Sequence, residues 1–273
     1  VILPTPWYFN HKMWLDMQGV DAIPLTTGAD LLPNPEQAEA LITDRTRAIV
    51  LVTPNNPGGI EYPADLVQAF AKLATRRGLQ LVIDETYRDF DSRTGAPHAL
   101  FENPDWADNL IQLYSFSKAY RLTGHRVGAL VASESRLSEV EKFLDTVTIC
   151  PNQLGQHAAL WGMRNLGQWL AGERQEILDR RAAISDHMPM IAENGWELMG
   201  VGAYFAYLRH PFDMASDDLA RALVQKAHVL TLPGTMFTPD NSVEGRQQMR
   251  VAFANVDRKG IKALFHRLKG FKI

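Results

Sequence analysis

The chain has little of several features that would point to other classes of protein. One cysteine in 273 residues, Cys150, excludes an internal disulfide framework and fits a reducing cytoplasm. No apolar run reaches membrane-spanning length, and no signal-peptide pattern is present. The 28 basic and 31 acidic residues nearly balance, which gives no reason to expect a nucleic acid or a membrane as partner. We predict no metal site, and we expect Cys150 to be a packed small residue because no base stands beside it.

With 46% hydrophobic residues, the chain can bury a sizeable core divided between two lobes. Its first residues, Val1-Ile2-Leu3-Pro4, already have the composition of a strand inside a domain. Because Val1 is not a methionine, we expect further residues upstream of it.

Short apolar runs alternate with helical patterns through the first part of the chain. Strands are predicted at 48–52, 79–83, 110–114 and 127–132, with helices at 63–77 and 134–148. Continuous apolar strands separated by helices are typical of a mainly parallel sheet with helices on both faces. We therefore predict an α/β fold with a large cofactor-binding domain over residues 1–163, its upstream part absent.

The pattern changes after Gly162. A long helix is predicted over 166–194, followed by strands and helices in mixed order. The strands are expected at 197–199, 202–208, 229–232 and 248–253, and the helices at 216–226 and 257–269. This mixture predicts a smaller α+β domain over residues 164–273, with the long helix joining the two domains.

Polar side chains follow three of the predicted strands where each strand ends. Asn56, Asp84 and Lys118 should therefore converge at one edge of the sheet, where open α/β sheets bind ligands. A lysine in this position can leave bulk water, and desolvation beside another cation lowers the pKa of an ammonium group. Arg126 comes within reach if the segment after Lys118 turns back. The amine of Lys118 is then a candidate nucleophile toward a carbonyl.

Four short motifs occur in a distinctive order: Asn-Asn-Pro-Gly-Gly at 55–59, Asp-Glu-Thr-Tyr at 84–87, Ser-Phe-Ser-Lys at 115–118 with Arg126 following, and Arg-Val-Ala-Phe at 250–253. Each is weak alone. Together they resemble the class I/II aminotransferases, the fold-type-I enzymes that depend on pyridoxal 5'-phosphate, over nearly the whole chain. The resemblance implies transfer of an amino group between an L-amino acid and a 2-oxo acid.

The resemblance also implies catalytic roles. Lys118 would form the Schiff base with the cofactor and then carry a proton to and from the substrate, which requires an amine that can lose its charge. Asp84 would pair with the pyridine nitrogen and sustain its protonation. Tyr87 and Asn56 would hydrogen-bond the phenolic oxygen. Arg250 would hold the substrate α-carboxylate, with Asn56 beside it.

Other residues are assigned to the cofactor's phosphate and ring by the same resemblance. Ser115, Ser117 and Arg126 are candidates for the phosphate, and a further small-residue phosphate loop is expected upstream of Val1. Tyr8 is predicted to stack on the ring, with Trp7 as the alternative. His11 is predicted either to hydrogen-bond Asp84 or to be an ordinary surface or core histidine. The segment 202–205, Gly-Ala-Tyr-Phe, is expected to be architectural.

Three other functions remain open. Two are enzymes with the same apparatus, a β-lyase for sulfur amino acids and a synthase resembling those that cyclise adenosylated methionine. The third is the aminotransferase-like sensor half of a transcription regulator, whose DNA-binding domain would lie upstream. No arginine occurs at 148–153, where relatives selective for acidic substrates carry one, which disfavours an aspartate-type preference. By the resemblance we expect a homodimer.

Overall fold

A six-stranded sheet forms the first part of the molecule. The structure is a computed structural model that describes all 273 residues. The sheet has the strand order β2-β1-β3-β4-β5-β6, and all neighbouring strands are parallel except β6, which runs antiparallel to β5. The strands are β1 (Ile2–Thr5), β2 (Ile23–Thr26), β3 (Ala48–Val52), β4 (Gln80–Asp84), β5 (Leu110–Ser115) and β6 (Gly128–Val131). The predicted α/β class and mainly parallel sheet are confirmed.

Helices pack against this sheet where the sequence gives them an apolar face. In α3 the buried residues Val67, Phe70, Leu73 and Ala74 recur at helical spacing, and the helix ends at Gly78 in the left-handed conformation. Its buried side chains join those of β1, β3 and β4 in one core. The helices of this part are α1 (Phe9–Met17), α2 (Pro35–Ala40), α3 (Ala64–Arg77), α4 (Phe116–Ala119), α5 (Glu134–Val147) and α6 (Gln153–Asn165).

A four-stranded antiparallel sheet forms the second part, in the order β7-β8-β10-β9. Its strands are β7 (Glu197–Gly202), β8 (Phe205–Arg209), β9 (Leu232–Pro233) and β10 (Gln248–Ala252). The helices are α7 (Gly167–His187), α8 (Pro189–Ala192), α9 (Ser216–Ala222) and α10 (Arg258–Gly270). A separate hydrophobic core joins this sheet to α7 and α10. Although α7 has 21 residues, neither it nor any other helix is apolar and long enough to cross a bilayer.

The two sheets meet through a contact between glycine backbones. Gly59 has φ +72°, and a Cβ at this position would lie 2.3 Å from the amide nitrogen of Gly202. A Cβ on Gly202 would in turn lie 2.1 Å from the carbonyl oxygen of Gly59. Only residues without side chains allow this approach. The Asn-Asn-Pro-Gly-Gly motif therefore brings the loop after β3 against the turn between β7 and β8.

Helix α7 adds polar contacts between the two parts. Arg174 donates hydrogen bonds to the backbone carbonyls of Asp91, Ser92 and Arg93, and Arg181 donates to Glu61 at 2.8 Å. These bonds hold the helix that precedes the second sheet against loops of the first sheet.

Four local predictions are wrong. The strand predicted over 202–208 is interrupted, because β7 ends at Gly202, a turn follows at 203–204, and β8 begins at Phe205. The long helix predicted over 166–194 ends at His187, and a short helix begins at Pro189, whose nitrogen has no proton to donate to a continuing helix. The strand predicted at 229–232 is reduced to Leu232–Pro233, because only these two residues pair with β10. Cys150 is exposed in the link between α5 and α6 rather than packed.

Candidate active site

A cavity of about 730 Å³ lies between the carboxyl edge of the first sheet and the second sheet. Four strand ends contribute to it, because β1, β3, β4 and β5 run parallel and all finish at the same edge. Strand β10 reaches it from the opposite side. All of the predicted site residues line this one cavity: Tyr8, Asn56, Asp84, Tyr87, Ser115, Ser117, Lys118, Arg126 and Arg250.

Lys118 lies in the short helix α4, directly after β5. Its ammonium group forms no ion pair, and the carbonyl oxygen of Lys118 lies 3.4 Å from the hydroxyl of Tyr204. Burial lowers the pKa of Lys118, and the positive charges of Arg250 and Arg126 lower it further. A larger fraction of this amine is therefore uncharged at neutral pH than for a solvated lysine.

Asp84 is buried at the end of β4 and is held by three hydrogen bonds. Its Oδ1 accepts from the amide and the hydroxyl of Thr86, at 3.0 and 2.7 Å, and its Oδ2 accepts from Nε2 of His11 at 3.0 Å. Burial alone would raise the pKa of Asp84, but the bonds from His11 and Thr86 outweigh it and hold the pKa below its usual value. The carboxylate is thus an anion that faces the cavity, and the predicted His11–Asp84 hydrogen bond is present.

Arg250 crosses from the second sheet toward the first. Its Nη1 donates to Oδ1 of Asn56 at 2.8 Å, and its guanidinium carbon lies 4.5 Å from the ring centroid of Phe205 and 5.1 Å from that of Phe237. The buried Nε of Arg250 has no hydrogen-bond partner. The two rings stabilise the nearby cation without using its hydrogen-bond donors, so donors remain for an anion in the cavity.

Tyr87 and Asn56 are both buried beside this arginine. The ring of Tyr87 packs edge-on against the rings of Tyr204 and Phe205, with centroids 5.3 Å away in each case. Burial raises the pKa of Tyr87, and the neighbouring Tyr8 raises it further, so its hydroxyl keeps the proton that it can donate. Because Oδ1 of Asn56 accepts from Arg250, the amide group of Asn56 is also left to donate.

The segment after Lys118 turns back, as predicted for Arg126 to reach the site. Thr123–His125 forms one turn of 3-10 helix, and Arg126 follows with φ 50°. Its Nη1 donates to the carbonyl of Thr123 at 2.9 Å and lies 3.4 Å from Oγ of Ser117. The guanidinium group and the hydroxyls of Ser115, Ser117 and Thr123 therefore stand together at one end of the cavity.

The two neighbouring aromatic residues after β1, Trp7 and Tyr8, have different surroundings. Trp7 is buried in a small core with Leu3 and Val50 and does not line the cavity, whereas Tyr8 does. Burial raises the pKa of Tyr8, and the charge of Asp84 raises it further. The geometry favours Tyr8 over Trp7 as the aromatic side chain available to a ligand.

The comparisons with known proteins agree with this arrangement. The family model described as "Aminotransferase class I and II" matches residues 1–268. The aromatic aminotransferase ISS1 of Arabidopsis thaliana is 27% identical over 97% of this chain and 70% of its own length, and the aspartate aminotransferase of Sulfolobus acidocaldarius is 26% identical over 99% and 68%.

Solved structures share the fold. The aromatic aminotransferase from Pyrococcus horikoshii superposes with a TM-score of 0.87 at 21% identity over 98% of this chain and 71% of its own, and a Thermus thermophilus aspartate aminotransferase mutant with 0.86 at 22% over 98% and 72%. The chain belongs to the class I and II aminotransferase family. It is thus an enzyme of the pyridoxal-phosphate-dependent transaminase type, with the fold-type-I architecture.

The cavity of this aminotransferase suits the cofactor of its family. It offers an amine of lowered pKa, an anion held by His11 and hydroxyl donors with a guanidinium group, which match an aldehyde, a pyridine nitrogen and a phosphate respectively. A volume of about 730 Å³ falls within the usual range for a small-ligand site. The buried, unpartnered Nε of Arg250 adds a donor for an anion beyond the cofactor.

Several lining residues were not predicted. Thr86 and Thr123 lie inside the Asp-Glu-Thr-Tyr and Ser-to-Arg motifs, so their position was a usable signal. The segment 202–205 was expected to be only architectural, but Tyr204 and Phe205 line the cavity, which corrects that expectation. Residues 230–232, 254 and 255 also line it and carry no local signal, because only the packing of the second sheet brings them there.

Proposed function

We propose that this aminotransferase exchanges an amino group between an L-amino acid and a 2-oxo acid. The observation that carries the proposal is the convergence, in one cavity, of the half-buried amine of Lys118, the anion of Asp84 and the guanidinium group of Arg250. When bound, the cofactor supplies an aldehyde that reacts with primary amines and a ring that accepts the electrons left on Cα.

Lys118 is proposed as the group that holds the cofactor and moves the proton at Cα of the substrate. An amine can take a proton from Cα only when it is uncharged, and burial together with the charges of Arg250 and Arg126 lowers the pKa of the Lys118 amine toward that condition. Arginine could not replace it, since a guanidinium group stays charged.

Asp84, Tyr87 and Asn56 are proposed to orient and polarise the cofactor ring. Asp84, kept anionic by His11 and Thr86, would pair with a protonated pyridine nitrogen. The hydroxyl of Tyr87 and the amide of Asn56 would both donate to the phenolic oxygen. Ser115, Ser117 and Arg126 would bind the phosphate, and Tyr8 would stack on the ring.

Arg250 is proposed to bind the α-carboxylate of the substrate. It belongs to β10 of the second sheet, whereas Lys118 and Asp84 belong to the first. We propose accordingly that residues 1–163 and 164–273 act as a large and a small domain, which a bound carboxylate would draw together and so exclude water.

The test is an amino-acid screen in the presence of pyridoxal 5'-phosphate. The curated relatives are named as aspartate and aromatic aminotransferases, so the screen begins with aspartate and the aromatic amino acids and extends to the remaining L-amino acids. Absorbance follows the cofactor, and 2-oxo acid, ammonia and pyruvate are measured separately. Lys118→Ala is expected to abolish turnover, whereas Lys72→Ala, an exposed lysine of α3, serves as the matched control.

The products separate the candidate functions. Formation of the 2-oxo acid of the added amino acid, with no ammonia and no pyruvate from sulfur amino acids, supports a transaminase. Release of ammonia and pyruvate supports a β-lyase instead. Cofactor binding without turnover of any amino acid supports a sensor role and contradicts the proposal.

We further propose that the protein acts as a homodimer in a reducing cytoplasm. Helix α5 has no buried residue, and several large apolar side chains of α5 and α6 are exposed: Leu137, Phe143, Val147, Leu154, Trp161 and Met163. Large apolar side chains exposed in such number on two successive helices are typical of an interface. Light scattering after gel filtration is expected to give a mass of twice the chain mass of 30.6 kDa. The Trp161→Glu variant is expected to shift the measured mass toward that of a single chain.

A further inference from the structure

Glu85 is a fully buried acid that the proposed chemistry does not use. It directly follows Asp84, and because neighbouring residues at a strand end point to opposite faces, Glu85 points away from the cavity that Asp84 lines. A buried carboxylate is costly unless polar groups compensate it. The polar groups that contact Glu85 therefore indicate which segments of the protein its carboxylate holds together.

Those partners come from three separate segments. Oε2 of Glu85 accepts a hydrogen bond from the side-chain amide of Gln112, on β5, and lies 3.5 Å from Nη1 of Arg88. Oε1 lies 3.4 Å from Nε2 of His98, whose side chain is also buried. Nδ1 of His98 accepts from the amide of Leu100 at 3.3 Å, so the proton of this imidazole is on Nε2 and faces Glu85.

The backbone of Glu85 adds to the same connections. Its amide donates to the carbonyl of Leu113 on β5 at 2.9 Å, and its carbonyl accepts from the amide of Arg88 at 3.0 Å. Further along, the hydroxyl of Tyr114 donates to Asp89 at 2.6 Å. Gln112 and Tyr114 are two residues apart and so share one face of β5. The turn that carries Asp84 and Tyr87 is thus fastened to the strand that leads to Lys118.

Glu85 is an anion in this setting. Burial would raise its pKa, but the neighbouring His98 imidazole, together with Arg88 and Gln112, outweighs burial and holds the pKa below its usual value. The negative charge is balanced within the cluster, so its removal would leave Arg88 and His98 without their common partner.

We propose that Glu85 is a positioning residue, which sets the places of Asp84 and Tyr87 relative to Lys118 by joining their turn to β5 through Gln112. The inference rests on the proposed function, since it assigns Glu85 to the same site. It predicts that loss of the Glu85 charge weakens cofactor binding although Glu85 does not contact the cavity.

The test compares Glu85→Gln with Glu61→Gln. Glu61 is a matched control because its side chain is also nearly buried and ion-paired, with Arg181 at 2.8 Å, but its partners are Arg181 and Ser92 and not residues 84–88 or β5. Pyridoxal phosphate is titrated by absorbance without substrate, and kcat, KM and the thermal midpoint are measured for each variant.

We expect Glu85→Gln to raise the cofactor dissociation constant about tenfold and to lower kcat about tenfold, as for other residues that orient a binding group. The KM for the amino acid should stay within about twofold of the value for the parent protein. Glu61→Gln should lower the thermal midpoint alone. Adding Gln112→Glu to Glu85→Gln returns a carboxylate to the cluster and should restore at least half of the lost affinity. If Glu85→Gln does not fold, Gln112→Leu takes its place, with a weaker loss in the same direction.

A folded Glu85→Gln whose cofactor affinity and spectrum match the parent protein would overturn the proposal. Equal losses of affinity in Glu85→Gln and Glu61→Gln would also overturn it, because they would indicate general destabilisation. Since the titration needs no turnover, a protein that binds the cofactor but transfers no amino group would contradict the proposed function and leave this inference intact.

Discussion

Replacement of Arg250 by lysine tests the proposed carboxylate site most directly. The guanidinium group lies close to the rings of Phe205 and Phe237, and one of its nitrogens is already bound to Asn56. Its remaining donors can bind a carboxylate through two parallel hydrogen bonds. Arg250→Lys keeps the positive charge but removes the planar fork, so it isolates the geometric contribution.

The magnitude follows from the bonds that are lost. A hydrogen bond to a charged group contributes about 1.5–3 kcal/mol, and lysine retains one of the two bonds, so the loss is about 2 kcal/mol. At 1.36 kcal/mol per tenfold change, kcat/KM should fall about thirtyfold. Because the α-carboxylate is bound alike in the ground state and the transition state, most of the fall should appear in KM.

The assay is steady-state transamination with the best amino acid from the screen, together with a cofactor titration. The control is Arg209→Lys, an arginine of β8 whose side chain is 42% exposed and paired with Glu197, which should leave both kinetic constants unchanged. Arg250→Lys should bind the cofactor with the affinity of the parent protein. A KM within about twofold of the parent value would refute the assignment of Arg250 to the carboxylate.

Three further outcomes test the surroundings of the site. His11→Phe removes one hydrogen bond from Asp84, so cofactor affinity should fall about fivefold, equivalent to about 1 kcal/mol, in an absorbance titration. Gly59→Ala should lower the free energy of unfolding in urea by at least about 2 kcal/mol, because the added Cβ would meet Gly202. Gly78→Ala is the control: Gly78 also has positive φ but has open space around it, so the substitution should lower the free energy of unfolding by only about 1 kcal/mol. The pKa of Asp84 is lower in the folded protein than in the unfolded chain, where it is about 4. Ionised Asp84 therefore stabilises the folded protein fully above about pH 4, and this contribution is lost as the pH falls through the folded pKa. In the Asp84→Asn variant, the free energy of unfolding measured in urea should accordingly change less between about pH 5 and pH 3 than in the parent protein.

The centre of the first sheet could be predicted closely because β3 and β4 are largely buried and give local apolar runs, whereas the mostly exposed β2 was not predicted. The strand predicted at 48–52 coincides with β3, and the helix predicted at 63–77 begins one residue late, after Pro63. The parallel arrangement then brings Asn56, Asp84 and Lys118 to one edge, which is a consequence of topology and needs no knowledge of side-chain contacts. The prediction of their convergence thus followed from the parallel direction of the strands alone.

The residues that the second sheet contributes to the cavity were harder to predict, because they reach it only through tertiary packing. Arg250 could be placed in a strand, but its position near both Phe205 and Phe237 requires segments 45 residues and 13 residues away in sequence to meet. Leu232 and its neighbours reach the cavity only because β9 pairs with β10 in an antiparallel register, and β9 is just two residues long. No periodicity can signal so short a strand.

Glu85 illustrates the limit of motif reasoning at the site itself. Within Asp-Glu-Thr-Tyr, the residues at 84 and 87 are predicted from what they could offer a ligand, and the sequence assigns no role to the residue at 85. Its partners Gln112 and His98 lie 27 and 13 residues further along the chain, in segments that share no motif with it. A residue that acts by joining two catalytic segments can be recognised only when the distances between those segments are known. Its contribution is therefore tested by measuring cofactor affinity.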